Sequence, residues 1–181
     1  EINKNMNTSG ISTGFDNLDQ SLGGGLYAGL YTLGAISSLG KTTLALQIAD
    51  NIAASGHDVI FFSLEMASAE VLAKSFSRIS AELAKEGQME DFYTTRAILN
   101  GIPDLDEYKK MENQYNQIAK NMYIVEGNFH ADLALIKRHV EKHIRVRRTK
   151  PVVVVDYLQI LLPENDRLTD QQAVDRHIVG L

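Results

Sequence analysis

The sequence contains no cysteine in its 181 residues, and this absence excludes disulfide bonds and thiolate metal sites. It also has no apolar run that approaches the ~18 residues of a membrane-spanning helix. The polar start of the chain lacks the hydrophobic core of a secretory signal peptide. Together these absences favour a cytoplasmic protein that has no membrane partner.

Basic charge is scarce as well. The chain has 18 Lys and Arg residues against 23 Asp and Glu residues, so its formal net charge is −5. A mildly acidic domain is not a general binder of polyanions, and any contact with nucleic acid would need a local basic surface or another subunit. The hydrophobic fraction of 44% and the length are those of one globular domain with a sizeable core.

Continuous apolar segments alternate with amphipathic segments along the chain. The apolar segments predict four buried strands, at 30–35, 58–63, 122–127 and 151–161. The amphipathic segments predict helices at 42–55, 68–83 and 132–147, with Ser68 as a cap, Gly56 after the first helix, and shorter helical pieces with a turn between them over 84–120. Buried strands that alternate with helices are typical of a parallel sheet covered on both faces. We therefore predict an α/β fold with a doubly wound, mostly parallel sheet.

A loop between the first predicted strand and the first predicted helix resembles a phosphate-binding loop. It approaches the pattern G-x-x-x-x-G-K-[ST], but Ala35 stands where the first glycine is usual. In such a loop Gly40 would let the backbone approach the phosphates, Lys41 would reach the β- and γ-phosphates, and Thr42 would offer its hydroxyl to Mg²⁺. The alternative is a glycine-terminated turn with an exposed lysine. The predicted ATP-binding residues are Ser37, Ser38, Leu39, Gly40, Lys41, Thr42 and Thr43.

Two acidic residues follow predicted strands and are candidates for the same site. Asp156 comes after four consecutive valines, where an acid beside the Mg²⁺ of a phosphate-loop protein is expected, although a buried strand can simply end at an acid. Glu65 follows the strand at 58–63, where a carboxylate could orient the water that attacks the γ-phosphate. A solvated glutamate near a helix start explains Glu65 equally well at this point.

Three stretches give the chain a family resemblance. GAISSLGKTT (34–43), FFSLEM (61–66) and VVVVDYLQIL (152–161) resemble the RecA-like ATPase domain of DnaB-type replicative DNA helicases, whose phosphate loop also has alanine at the first glycine position. The lead-in TGFDNLDQSLGGGL is similar too, but RadA-like and KaiC-like ATPases share it. The resemblance covers residues 11–181 and implies a RecA-like P-loop NTPase fold. The polar residues 1–10 before it are expected to form a flexible leader.

The resemblance implies a motor that couples Mg-ATP hydrolysis to movement along single-stranded DNA. It implies that Lys41 and Glu65 are catalytic, and that Thr42 and Asp156 serve the Mg²⁺ ion, Asp156 through water. It also implies a homo-oligomer, a hexamer in the full-length protein. The polar sensor, the arginine finger and the DNA-binding loops of the family are expected after Asp156, mostly beyond Leu181. We therefore expect this chain to be a fragment that binds ATP but hydrolyses it slowly.

Two other functions remain open at this stage. A RadA- or RecA-like recombination ATPase would use the same chemistry, although the SLEM and DYLQ stretches count against it. A KaiC-like or prophage ATPase switch would use its nucleotide state to control a protein interaction. A sensor strand followed by basic pore loops would favour the helicase over the switch.

Some remaining features are better explained by ordinary packing or solvation than by a site. The basic segment 137–150 fits a solvated helix face better than a DNA-binding surface. His139 and His143 are spaced by one helical turn, but a third ligand for zinc is missing, so we interpret them as a surface pair. Phe129 and Tyr157 could stack on a base, although packing in a core or an interface is the more frequent role of such residues.

Overall fold

The computed structural model describes residues 9–36, 38–127 and 132–156. In this part of the chain the elements are, in order, α1 (Asp16–Ser21), α2 (Lys41–Ala54), β1 (Val59–Ser63), α3 (Ser68–Lys85), α4 (Thr95–Leu99), α5 (Leu105–Ala119), β2 (Met122–Glu126), α6 (Leu133–Arg147) and β3 (Val152–Asp156). None of the helices described is long and apolar enough to cross a membrane.

The three strands form one parallel sheet in the order β2-β1-β3. β1 is the central strand, and its first residue, Val59, pairs with Met122 of β2 and Val152 of β3. The register continues without a bulge to the last residues of all three strands. We call the edge of the sheet where the three strands end its carboxyl edge, and the edge where they begin its amino edge.

Two hydrophobic clusters cover the two faces of the sheet. On one face Val59 and Phe61 pack with apolar residues of α2, α3 and α5. On the other face Ile60 and Phe62 pack with Ile136 of α6. Because both faces are covered, all five residues of β1 are buried, including the alternate positions that a one-sided sheet would expose to water.

The two crossover connections explain why the sheet is doubly wound. From β1 the chain passes through α3, α4 and α5 to reach β2 on one side of β1. From β2 it passes through α6, on the opposite face, to reach β3 on the other side of β1. The second crossover runs in the opposite direction across the sheet and on the opposite face. The two crossovers therefore have the same hand, as the right-handed rule for parallel strands requires. The predicted α/β fold with helices on both faces is confirmed.

Local sequence signals explain most element boundaries. Gly56, just after α2, has φ +93°, a left-handed conformation that glycine adopts at little cost. α5 begins with a capping box, in which Asp104 accepts hydrogen bonds from the first turn and Glu107 bonds back to the cap. Asp132 caps α6 by accepting a hydrogen bond from the Leu135 backbone N at 2.7 Å.

The predicted strand at 30–35 is wrong for the described structure. These residues form no strand, and Leu30, Tyr31 and Leu33 are 52%, 47% and 47% exposed instead of buried. A short strand is stable only when neighbouring strands pair with it and its side chains are covered. Within the described residues β2 and β3 are the edge strands of the sheet, and 30–35 pairs with neither.

The predicted cap of α3 is also wrong. Ser68 is the first residue of the helix, and the N-cap position is occupied by Ala67. The Ser68 hydroxyl bonds instead to a carboxylate of another strand, a contact described below.

Candidate functional site

The start of α2 lies at the carboxyl edge of the sheet. Only residues 55–58 separate the end of α2 from the first residue of β1, so α2 ends near the amino edge. The 14 residues of α2 span about 21 Å, close to the length of β1 (about 17 Å), and the helix packs on β1 and β3. Lys41 and Thr42, in the first turn, therefore share an edge with Asp156 at the end of β3.

The loop before α2 has an unusual backbone shape. The N-cap residue Gly40 has φ +93°, and Ser38 has φ +63° although it is not glycine. Glycine has no side chain that could accept hydrogen bonds from the first turn of α2. The start of α2 therefore receives no side-chain capping bond from its N-cap residue, and the helix dipole at this end favours a bound anion.

Most of the predicted ATP-binding residues follow one another along this loop and the first turn of α2. Ser38, Leu39, Gly40 and Thr43 are exposed, and Lys41 and Thr42 are half-buried. Ser37, which was also predicted, lies outside the described residues. The loop is thus accessible from the carboxyl edge, as a nucleotide site requires.

Asp156 and Glu65 occupy neighbouring positions at this edge. Asp156 is only 7% exposed and pairs in register with Ser63, the last residue of β1. Glu65 is exposed and follows Ser63 by two residues. The backbone N of Leu64 donates a hydrogen bond to the Asp156 carbonyl O at 2.9 Å. Residues 64–67, which we call the Glu65 segment, are therefore attached to the end of β3. The structure therefore brings the two predicted acids close together in the fold.

The donor atoms at this edge fit a magnesium–nucleotide complex. The Thr42 hydroxyl and the Asp156 carboxylate supply the hard oxygen donors that Mg²⁺ prefers. Among the described residues, no group of three or more His, Cys, Asp or Glu side chains could hold a metal by itself. Mg²⁺ that is bound with a nucleotide needs only one or two protein ligands, because phosphate oxygens and water supply the others.

Sequence comparison agrees with this geometry. Residues 10–179 match the family described as the DnaB-like helicase C-terminal domain, which is nearly the whole chain. The chain belongs to this family. The replicative DNA helicase DnaB of Buchnera aphidicola subsp. Baizongia pistaciae is 29% identical over 159 residues, which cover 84% of this chain and 31% of that relative. The DnaB of Haemophilus influenzae is 27% identical over 173 residues, 89% of this chain and 33% of that relative.

The chain thus spans about a third of the length of these DnaB relatives. Two solved structures have the same fold at low sequence identity. The ATPase domain of G40P matches with a TM-score of 0.68 at 22% identity, covering 96% of this chain and 58% of that one. A DnaB-like replicative helicase, described together with its interactions with primase, matches with a TM-score of 0.74 at 22% identity, covering 97% and 42%. The RecA-like fold expected for a DnaB-type domain is confirmed.

The structure adds polar residues at the carboxyl edge that sequence analysis missed. Ser63 is buried, and its Oγ donates a hydrogen bond to the Met66 carbonyl O at 2.6 Å. Glu126, the last residue of β2, accepts hydrogen bonds from Ser68. The signal for Glu126 is an acid at the end of an apolar strand, the same signal that identified Asp156.

A second polar cluster lies at the amino edge of the sheet, away from the candidate site. Asp58, just before β1, accepts hydrogen bonds from His143 Nε2 at 3.1 Å, Arg147 Nη2 at 3.2 Å and the Thr149 hydroxyl. The interpretation of His139 and His143 as a surface pair is therefore wrong. His143 is 8% exposed, and His139 packs edge-on against Phe62. The cluster joins the end of α6 to the start of β1.

The basic segment 137–150 forms most of α6 and the turn that follows it. Its seven Lys and Arg residues are exposed, whereas Leu133 and Ile136 at the start of α6 are buried against the sheet. Phe129 and Tyr157 lie outside the described residues.

Proposed function

We propose that this chain binds Mg-ATP at the carboxyl edge of the sheet and forms the nucleotide-binding part of a DnaB-type helicase motor. The observation that supports the proposal most directly is the shared edge: the first turn of α2, the Glu65 segment and the end of β3 meet there. A helix start whose N-cap glycine supplies no side-chain hydrogen bond suits phosphate oxygens, and two acids at the same edge suit a metal ion and an attacking water.

The proposed reaction is an in-line displacement at the γ-phosphorus. A water oxygen forms a bond to that phosphorus while the bond to the β,γ-bridging oxygen breaks, which yields ADP and inorganic phosphate. Glu65 orients the water and accepts its proton. Lys41 and the N–H groups at the start of α2 stabilise the negative charge that develops on the phosphate oxygens. Mg²⁺, held by Thr42 and through water by Asp156, would supply additional charge neutralisation.

We further propose that the full-length protein is a homo-oligomer, a hexamer, that moves along single-stranded DNA in the cytoplasm. Family membership and relatives named as replicative DNA helicases support this function. The net charge of −5 means that DNA contacts must come from a local surface or from parts of the protein beyond this chain.

Nucleotide binding and turnover of two variants test the assigned roles. Lys41→Ala should weaken binding of Mg-ATP, because a positive charge on the phosphates is lost. Glu65→Gln should keep ATP binding close to wild type but lower kcat about 100-fold or more, because the amide cannot accept the proton of water. The assay uses a protein extended beyond Leu181 to the length of its relatives.

Two variants on α5 serve as matched controls. Lys109→Ala and Glu112→Gln make the same changes at exposed positions of a helix that contributes nothing to the proposed site. Both should behave like wild type. Wild-type turnover in Glu65→Gln, or unchanged nucleotide affinity in Lys41→Ala, would contradict the roles proposed for these residues.

A further inference from the structure

The Glu65 segment leads from β1 into α3, and the start of α3 is capped by a residue of β2. α3 begins at Ser68, and its N-cap residue Ala67 has a methyl side chain that cannot accept a hydrogen bond. Glu126 Oε2, at the end of β2, accepts hydrogen bonds from the Ser68 backbone N at 2.9 Å and from Ser68 Oγ at 3.0 Å. Glu126 therefore caps α3 from a position 58 residues away in the sequence.

This cap is a charged one. The two hydrogen bonds from Ser68 hold the pKa of the Glu126 carboxyl below its ordinary value, so the group is ionised at neutral pH. A carboxylate at the start of a helix also interacts favourably with the helix dipole. Charge-assisted hydrogen bonds are stronger than neutral ones, so the contact can fix the start of α3 relative to β2.

The end of β2 also packs closely against the Glu65 segment. The backbone N of Gly127 donates a hydrogen bond to the Ser63 carbonyl O at 2.8 Å. A Cβ atom at Gly127 would lie 2.4 Å from Leu64 Cδ2 and 3.2 Å from Leu64 Cα, so only glycine fits without a shift. The Leu64 backbone N, in the same peptide unit as the Ser63 carbonyl, donates to the Asp156 carbonyl O, and Ser63 Oγ donates to the Met66 carbonyl O farther along the segment. The segment is thus attached to all three strands.

We propose that Glu126 is a positioning residue for Glu65, acting through Ser68; this inference rests on the function proposed above. Glu65 lies three positions before Ser68, so a displacement of the start of α3 displaces Glu65 as well. Glu126 does not take part in the chemistry. Its carboxylate holds the segment in the arrangement in which Glu65 can orient the attacking water. Nucleotide binding at the start of α2 does not depend on this contact.

Three substitutions at the contact test the proposal in the extended protein. Glu126→Ala removes both hydrogen bonds. Glu126→Gln keeps an oxygen that can accept them but removes the charge, and Ser68→Ala removes only the hydroxyl. Glu112→Ala, at an exposed glutamate of α5, is the matched control. For each protein we would measure kcat and KM for ATP, together with hydrogen exchange of the Ser68 backbone amide.

Glu126→Ala should lower kcat about tenfold to 100-fold while KM for ATP stays within about twofold of wild type. Glu126→Gln should recover most of kcat, Ser68→Ala should give an intermediate loss, and Glu112→Ala should match wild type. Exchange of the Ser68 amide should accelerate in Glu126→Ala, because its acceptor is gone. An unchanged kcat, a rise in KM as large as the loss in kcat, or a glutamine variant as impaired as the alanine variant would overturn the proposal.

Hydrogen exchange of the Ser68 amide distinguishes a failure of the role proposed for Glu126 from a failure of the proposed function. A wild-type protein without ATP turnover would overturn the proposed function, and with it the role of Glu126 in hydrolysis. Faster Ser68 exchange in Glu126→Ala would still identify the cap in that case. Normal turnover of wild type with unchanged kcat in Glu126→Ala would overturn the positioning role alone.

Discussion

Asp58 shows how a single side chain joins distant parts of the chain. The residue is 6% exposed, and burial by itself raises the pKa of its carboxyl. Hydrogen bonds from Thr149, His143 and Arg147, together with the positive charge of Arg147, outweigh burial and lower the pKa below the ordinary value. Asp58 therefore stabilises the folded state as an ionised group, and it fixes the turn between α6 and β3 to the start of β1.

Asp58→Asn should destabilise the protein at pH 7 by about 2–3 kcal/mol, because the amide cannot satisfy the same three donors. The folded pKa of Asp58 lies below the unfolded pKa, so its contribution is fully present above the unfolded value. The contribution is lost as pH falls through the folded value. Urea denaturation of wild type and variant from pH 7 to pH 3 should show the difference in unfolding free energy shrinking toward low pH. A difference that is constant or grows on acidification would contradict this account.

At the residue scale, the sequence predicts single candidate residues that belong to a local pattern, but not the contacts that join distant residues. Lys41, Thr42 and Asp156 follow directly from a loop pattern and from an acid after four valines. Asp58 and His143 are 85 positions apart, and no spacing in the sequence predicts their contact. Glu126 lies between these cases, because its position at a strand end was visible but its partner Ser68 was not.

β1 is the element on which the rest of the described fold depends. It is hydrogen-bonded on both sides, and its side chains extend into both hydrophobic clusters. Phe61 is fully buried among residues of α2, α3 and α5, and it is one of the largest side chains in the main core. Because β1 also carries the Glu65 segment at its end, the site depends on the stability of this strand.

Phe61→Ala should lower the free energy of unfolding by about 3–5 kcal/mol, because it removes a large buried side chain and leaves a cavity. Phe92→Ala is the matched control, since Phe92 is 57% exposed, and it should change stability by no more than about 0.5 kcal/mol. Thermal or urea denaturation measures both. Equal effects of the two substitutions would contradict the assignment of Phe61 to the core.

At the element scale, an apolar segment forms a strand only where other strands pair with it and helices cover its faces. The segments at 59–63, 122–126 and 152–156 form strands because they pair with one another under two layers of helices. The segment at 30–35 has similar composition but is exposed and unpaired in the described structure. The sequence pattern indicates which secondary structure a segment favours, whereas the tertiary fold determines whether neighbouring strands and helices are present to stabilise it.

At the scale of the whole molecule, the two edges of the sheet differ in the part of the chain that the structure describes. All the candidate site residues in the described part of the chain lie at the carboxyl edge, while the exposed basic residues at the end of α6 lie at the amino edge. The chain spans about a third of its DnaB relatives. The motor activity is therefore proposed for the full-length protein, and the sensor, arginine finger and DNA-binding loops expected for it rest on family resemblance alone.

The proposed motor function requires that ATP hydrolysis at this edge drives movement on DNA. We would measure steady-state ATP turnover, with and without single-stranded DNA, in a protein extended beyond Leu181, with Lys41→Ala as the control. DNA should raise turnover at least several-fold, and the increase should disappear in Lys41→Ala. Turnover in wild type that is the same with and without DNA would contradict the motor function and would favour a nucleotide-controlled switch.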